Sequence, residues 1–184
     1  MKLSLSWLSA GSLAVLVLTA GIAEAQTAHA PSQGPTALEG VEVAVSKNSP
    51  SVVSTVPKAG STVDPGVMIL TVTFDQHMDP DGWRYAKGAN GEYPDCLAKP
   101  RLLGDSKTFV LLCTTLSNRN YAVRFNEPEE AGFTGVGHRS AVPFELNFTT
   151  AKGHPVSSLP QALTVAGLHD DDSPVENSDL MSKR

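Results

Sequence analysis

The stretch Val67-Met68-Ile69-Leu70-Thr71-Val72-Thr73-Phe74-Asp75 decides the fold class of this 184-residue chain. Its period is two: Met68, Leu70, Val72 and Phe74 fall on one face, and Ile69, Thr71 and Thr73 on the other. A run of β-branched and aromatic residues with that period reads as a strand packed on a core through one face. The same reading extends in both directions along the chain. Upstream, Val52 to Val56 is a short β-branched run ending at Pro57, followed by the turn residues Lys58-Ala59-Gly60-Ser61. Downstream, Trp83 and Tyr85 alternate with Arg84, and a short run over Lys99–Leu103 ends at the turn Gly104-Asp105. Lys107–Thr114 is apolar on both faces, which places it centrally in its sheet. Tyr121, Val123 and Phe125, and then Phe144, Leu146 and Phe148, define two further strands with polar residues opposite.

About seven short strands separated by turn residues, with no long helical period, predict an all-β, immunoglobulin-like β-sandwich over residues 49–151. Leu116-Ser117-Asn118-Arg119-Asn120-Tyr121 adds a specific expectation. A tyrosine at the start of a late strand is placed for a corner in which its hydroxyl bonds back to the upstream backbone.

Outside that domain the patterning changes. Lys2, the apolar run Leu8–Ile22 and the small-x-small site Ala23-Glu24-Ala25 read as an export signal over residues 1–25, cut so that Gln26 becomes first. Left uncut, the same run would tether the protein to a membrane. Residues 26–48 read as a linker, with a strand-like alternation at Val41, Val43 and Val45. Residues 152–184 hold Pro155, Pro160, Pro174 and the acidic run Asp170-Asp171-Asp172, and predict a disordered acidic tail in which Pro160 to Leu168 forms at most a transient helix.

Export makes the cysteine pair informative. Cys96 and Cys113 are the two cysteines of the chain, and in an oxidising periplasmic or extracellular compartment they are expected to close into a disulfide. The net charge of −5, with Lys and Arg scattered singly, supplies no basic surface for nucleic acid.

Candidate chemistry concentrates in Asp75-Gln76-His77-Met78-Asp79-Pro80-Asp81-Gly82. Alternating carboxylates before a glycine suit a hard cation such as calcium, but no Glu follows at the bidentate position of a calcium loop. The competing reading makes Asp79 and Asp81 turn residues beside Pro80 and Gly82. Asp75, His77, Asp79 and His138 are therefore carried as metal candidates. No serine has a nucleophile-elbow context, and the Glu127, Glu129 and Glu130 run around Pro128 reads as solvated surface, so no enzyme activity is expected. Among the aromatics, Trp83 is assigned to the core, while Tyr85 and Tyr93 are carried as partner-binding candidates.

Val52-Val53-Ser54-Thr55-Val56-Pro57-Lys58-Ala59-Gly60-Ser61, then Leu70 to Phe74 and Asp75-Gln76-His77-Met78-Asp79-Pro80, resembles the bacterial immunoglobulin-like domain first described in S-layer proteins. Asp105-Ser106-Lys107-Thr108-Phe109, the Leu116–Tyr121 corner and the closing Phe148-Thr149-Thr150 follow in that family's order, over about 100 residues in all. The resemblance implies a non-catalytic binding or spacing module at the cell envelope, with an envelope protein or polysaccharide as partner. The opening turn is also similar to that of periplasmic copper carriers of the copper-resistance type, which bind copper through a His at the mature N-terminus and a late Asp and His. Here His29 lies three residues inside the expected start, and Gly137-His138 lacks the preceding acid. Copper carriage is the alternative reading.

Overall fold

The computed structural model describes residues 47–127 and 132–175. The export signal, His29, Glu129, Glu130 and the last nine residues of the chain lie outside the described residues.

Among the described residues, nine strands form two packed sheets. In chain order they are β1 (Val52–Val56), β2 (Thr62–Val63), β3 (Gly66–Phe74), β4 (Tyr85–Lys87), β5 (Asp95–Cys96), β6 (Arg101–Leu102), β7 (Thr108–Thr115), β8 (Asn120–Phe125) and β9 (Phe144–Thr150). One sheet has the order β1-β3-β7-β5, with β6 also paired to β7, and the other has the order β2-β9-β8-β4. This is an all-β sandwich. The long strands sit within a residue of their expected limits. The excess over seven comes from β2 and β5, two-residue segments too short to show a period.

Strict alternation explains which faces meet. Met68, Leu70, Val72 and Phe74 of β3, Phe109, Leu111 and Cys113 of β7, Tyr121, Val123 and Phe125 of β8, and Leu146 and Phe148 of β9 are buried together between the sheets. The corner forms as expected: the Leu116 N–H donates to the Tyr121 hydroxyl at 2.8 Å, and the Tyr121 ring stacks on Phe148. Before β7, Asp105 folds the turn onto itself. Its carboxylate accepts from the Lys107 and Thr108 amides and from the Thr108 hydroxyl.

Over residues 152–175 the structure replaces the expected disorder with a docked segment. Val156 pairs with Gly66, and α1 (Leu159–Ala166) lies on β3. Ile69 and Val110, which point away from the sandwich core, are buried under Val156, Ala162 and Leu163. The apolar second face of β3 and β7 is thus satisfied by the chain's own C-terminal segment. Ser158 caps the helix start by accepting from Gln161 N–H, Pro160 occupies its first turn, and Gly167 closes it at φ 70°. An eight-residue helix is marginal in isolation, so this one owes its stability to docking. Arg101 fastens the continuation, donating through Nη1 to the carbonyl oxygens of Asp171 and Ser173.

Gly66 permits this docking. It sits at φ 101°, and a Cβ there would run into the Val156 carbonyl oxygen. Gly66→Ala is expected to destabilise the protein by at least ~2 kcal/mol and to make residues 151–158 protease-sensitive. A denaturation midpoint and cleavage pattern unchanged from wild type would contradict the docking.

Candidate functional site

The segment 75–82 leaves β3 and meets the loop 132–142 that precedes β9. Asp75 Oδ1 accepts from Ser51 N–H at 2.9 Å, while its own N–H donates to the Ser51 carbonyl. Asp79 Oδ1 accepts from Asp81 N–H at 3.0 Å, and the Gly82 amide donates to the Asp79 carbonyl, so Asp79 makes the turn that one of the two sequence readings assigned it. The backbone of the segment is stitched to the opposite loop: Asp79 N–H to Thr134 O, Thr134 N–H to Gly82 O and Val136 N–H to His77 O. Between these bonds Met78 is fully buried. The side chains of His77 and His138 are exposed, and His138 holds a positive φ of 56° in a tight turn back to Gly135.

Among the described residues no three His, Cys, Asp or Glu side chains stand together as a metal-binding group. The four metal candidates are therefore not brought into one ligand set. The carboxylates of Asp75 and Asp79 are engaged with backbone amides, and the segment serves as a joint between two loops.

Both aromatic candidates pack against the core. Tyr85 packs against the core: its ring meets Phe125 and Phe133 edge-on, with centroids 5.5 and 5.0 Å away. Its hydroxyl is buried without a hydrogen-bond partner among the described residues. Burial, reinforced by nearby Tyr93, raises its pKa well above the ordinary phenol value. Tyr93 is half-buried against the same core, and burial raises its pKa as well. Trp83 packs against the core from a half-buried position, in line with its core assignment. Neither tyrosine stands out as a free aromatic platform.

Tyr85→Phe removes an unpaired buried hydroxyl while keeping the ring. It is expected to leave stability unchanged or raise it by about 1 kcal/mol. Because the folded-state pKa is raised, the contribution of neutral Tyr85 is present below the unfolded phenol pKa and is lost as pH climbs through the folded value. The variant should therefore resist alkaline unfolding better than wild type, read by circular dichroism across the alkaline range. A clear loss of stability on Tyr85→Phe would show that the hydroxyl has a partner.

The outward faces of the two sheets differ. On the β8–β9 sheet, Arg124 bridges Glu127 and Glu145 at 3.1 Å each. The Ala89 amide and the Arg124 guanidinium hold the Glu145 carboxyl below its ordinary pKa, and Glu145, followed by Glu127, holds the guanidinium up. The Arg119–Glu92 pair adds an exposed contact at 3.0 Å. This face is polar and solvated, whereas the opposite face of the sandwich is apolar and covered by α1. Beside β6, Leu97 is 45% exposed next to Lys99 and Arg101, lining a shallow groove that reaches Pro174.

Cys96 and Cys113 are disulfide-bonded, as the sequence reading expects, and they face each other across β5 and β7. The fold and these surfaces define a small disulfide-bridged β-sandwich. No protein-family model matches the sequence, and no curated protein matches it. Among solved structures, the chain is similar to the S-layer protein rSbsC(31-844), with a TM-score of 0.39 and 17% identity over 60% of this chain. It is also similar to surface layer protein SbsC, domains 1-6, with a TM-score of 0.40 and 17% identity over 60% of this chain. The matched region spans 15% of the length of either S-layer chain. No helix among the described residues is long and apolar enough to cross a membrane.

Proposed function

We propose that this chain is an exported, non-catalytic module of immunoglobulin-like type that acts by binding or spacing at the cell envelope, in the periplasm or outside the cell. The observation that carries this reading is the Cys96–Cys113 bridge, which ties the two-residue edge strand β5 to the central strand β7. Such a bridge persists in an oxidising compartment, which agrees with the export signal read over residues 1–25. The engaged carboxylates of the segment 75–82 support a structural part for the residues that most resembled a reactive cluster. An envelope protein or polysaccharide is the partner class, met by the polar outer face of the β8–β9 sheet.

The bridge is expected to contribute about 3 kcal/mol, from the loop entropy it removes from the unfolded chain. Denaturant midpoints of oxidised and reduced protein measure this directly, and coincident midpoints would contradict it. Function is tested by titrating the mature protein with Cu(II) and Cu(I) in a calorimeter. The module reading predicts no sub-micromolar site. A sub-micromolar affinity that disappears on His29→Ala or His138→Ala would replace it with copper carriage.

A further inference from the structure

The turn that leaves β4 is pinned at both ends. The Gly88 N–H donates to the Ala122 carbonyl at 2.9 Å, the Glu92 N–H donates to the Asn120 carbonyl at 2.8 Å, and the Ala122 N–H donates back to the Glu92 carbonyl at 2.9 Å. The Ala89 N–H donates to Glu145 Oε2 at 3.2 Å. Between these bonds Ala89 and Asn90 form an exposed turn. Gly91 follows, pressed on β8: a Cβ there would stand 2.7 Å from the Ala122 nitrogen and 2.8 Å from the Tyr121 carbonyl carbon. Packing therefore dictates a glycine at this position.

The same glycine leaves Asn90 open to attack. The backbone nitrogen of the residue after an asparagine is a nucleophile toward the side-chain amide, and the Cβ that hinders its approach is missing in glycine. Asn90 is the one asparagine of the sequence followed by glycine; the others precede serine, arginine, tyrosine, glutamate or phenylalanine. Asn126 is further held by its bonds to the Phe133 and Ala141 carbonyls. Asn90, in contrast, is exposed on its turn.

We propose that Asn90-Gly91 is a self-modification site, at which Asn90 deamidates in the folded protein and loosens the rim of the β8–β9 sheet. The Gly91 nitrogen bonds to Asn90 Cγ, the Cγ–Nδ2 bond breaks, and Nδ2 leaves as ammonia with the Gly91 amide proton. Water opens the resulting five-membered imide at either carbonyl. One opening gives aspartate, and the other gives isoaspartate, in which the main chain runs through Cγ. Water is the only co-reactant. Aspartate adds a negative charge to the turn beside Ala89, whose amide holds the Glu145 carboxylate. Isoaspartate inserts a methylene into a turn whose ends are bonded to Ala122 and Asn120. Gly91 already lies against β8, so the added length is taken up at the Glu92–Asn120 bond.

The experiment incubates the folded mature chain in neutral buffer and maps its peptides by mass spectrometry, with fragmentation that separates aspartate from isoaspartate. The expected result is conversion at Asn90 at least ~10-fold faster than at any other asparagine, with isoaspartate among the products. Asn90→Gln should remove conversion at this position. In the isolated isoaspartate form the Glu92 amide should exchange at least ~10-fold faster than in the unmodified chain, while the Leu111 amide, deep in β7, stays equally protected. An Asn90 that converts no faster than the other asparagines overturns the proposal, as does conversion seen only when the chain is unfolded in denaturant. A Glu92 amide equally protected in both forms overturns the loosening of the sheet rim.

Discussion

Asn126→Ala is expected to cost about 3–5 kcal/mol of folding stability. Asn126 is 2% exposed and makes three hydrogen bonds to the loop that returns toward β9. Its amide nitrogen donates to the carbonyls of Phe133 and Ala141, both at 2.9 Å, and its side-chain oxygen accepts from the Phe133 N–H. Alanine would leave two carbonyls and one N–H in a buried site without partners, and each such orphan costs about 1–3 kcal/mol. The backbone adds to the loss, because Asn126 holds φ 64°, a left-handed conformation that asparagine tolerates better than alanine. Asn126→Gly should therefore be less harmful than Asn126→Ala by about 1 kcal/mol. Asn126→Asp should be no milder than alanine, since a carboxylate would face the two carbonyl oxygens without a donor. Guanidinium unfolding of the three variants checks the order. A loss below about 1 kcal/mol for alanine would mean that the loop is not held by this side chain.

Phe133→Ala carries the second large effect, about 3–5 kcal/mol. The ring, fully buried, is carried on the loop that Asn126 anchors, and it sits among four others. Its centroid is 5.2 Å from Phe74, 5.0 Å from Tyr85, 5.0 Å from Phe109 and 5.9 Å from Phe125. Those partners come from both sheets, so Phe133 plugs one end of the sandwich and alanine would leave a cavity between the layers. Phe133→Leu, which keeps most of the volume, should cost no more than ~1.5 kcal/mol. The two sites share a loop, so their effects should not add. The double variant is expected to lose less than the sum of the singles, and strict additivity would show that they act independently.

The long strands were legible because burial on one face imposes a period that no other element imitates. β3, β8 and β9 each bury one face in the inter-sheet core, and their apolar residues mark it without ambiguity. β7 is apolar on both faces, which marks it as central in its sheet but does not say what covers its second face. The cover was α1. Its caps at Ser158 and Gly167 and its Pro160 are readable signals, yet its composition alone could not offset the entropy of ordering. The missing information was tertiary: Ile69 and Val110 supply the apolar surface on which α1 folds.

The loop held by Asn126 was not legible for a different reason. Glycine, proline and charge around Phe133 look like solvated surface, and a positive φ at an asparagine leaves no periodic trace. The carboxylates of the segment 75–82 show the reverse case. Alternating acids suit a cation and a turn equally well, and the hydrogen bonds of Asp75 and Asp79 to backbone amides decide for the joint. Tyr85 and Tyr93 are carried from the sequence as partner-binding candidates. Their rings instead pack against the core, through neighbours far away in the chain.

The most direct test of the account is the intact mass of the protein recovered from outside the cytoplasm, treated with an alkylating reagent under denaturant. The expected chain begins at Gln26, is lighter by two hydrogens for the Cys96–Cys113 bridge and carries no alkyl group. A full-length chain with both cysteines alkylated would contradict it.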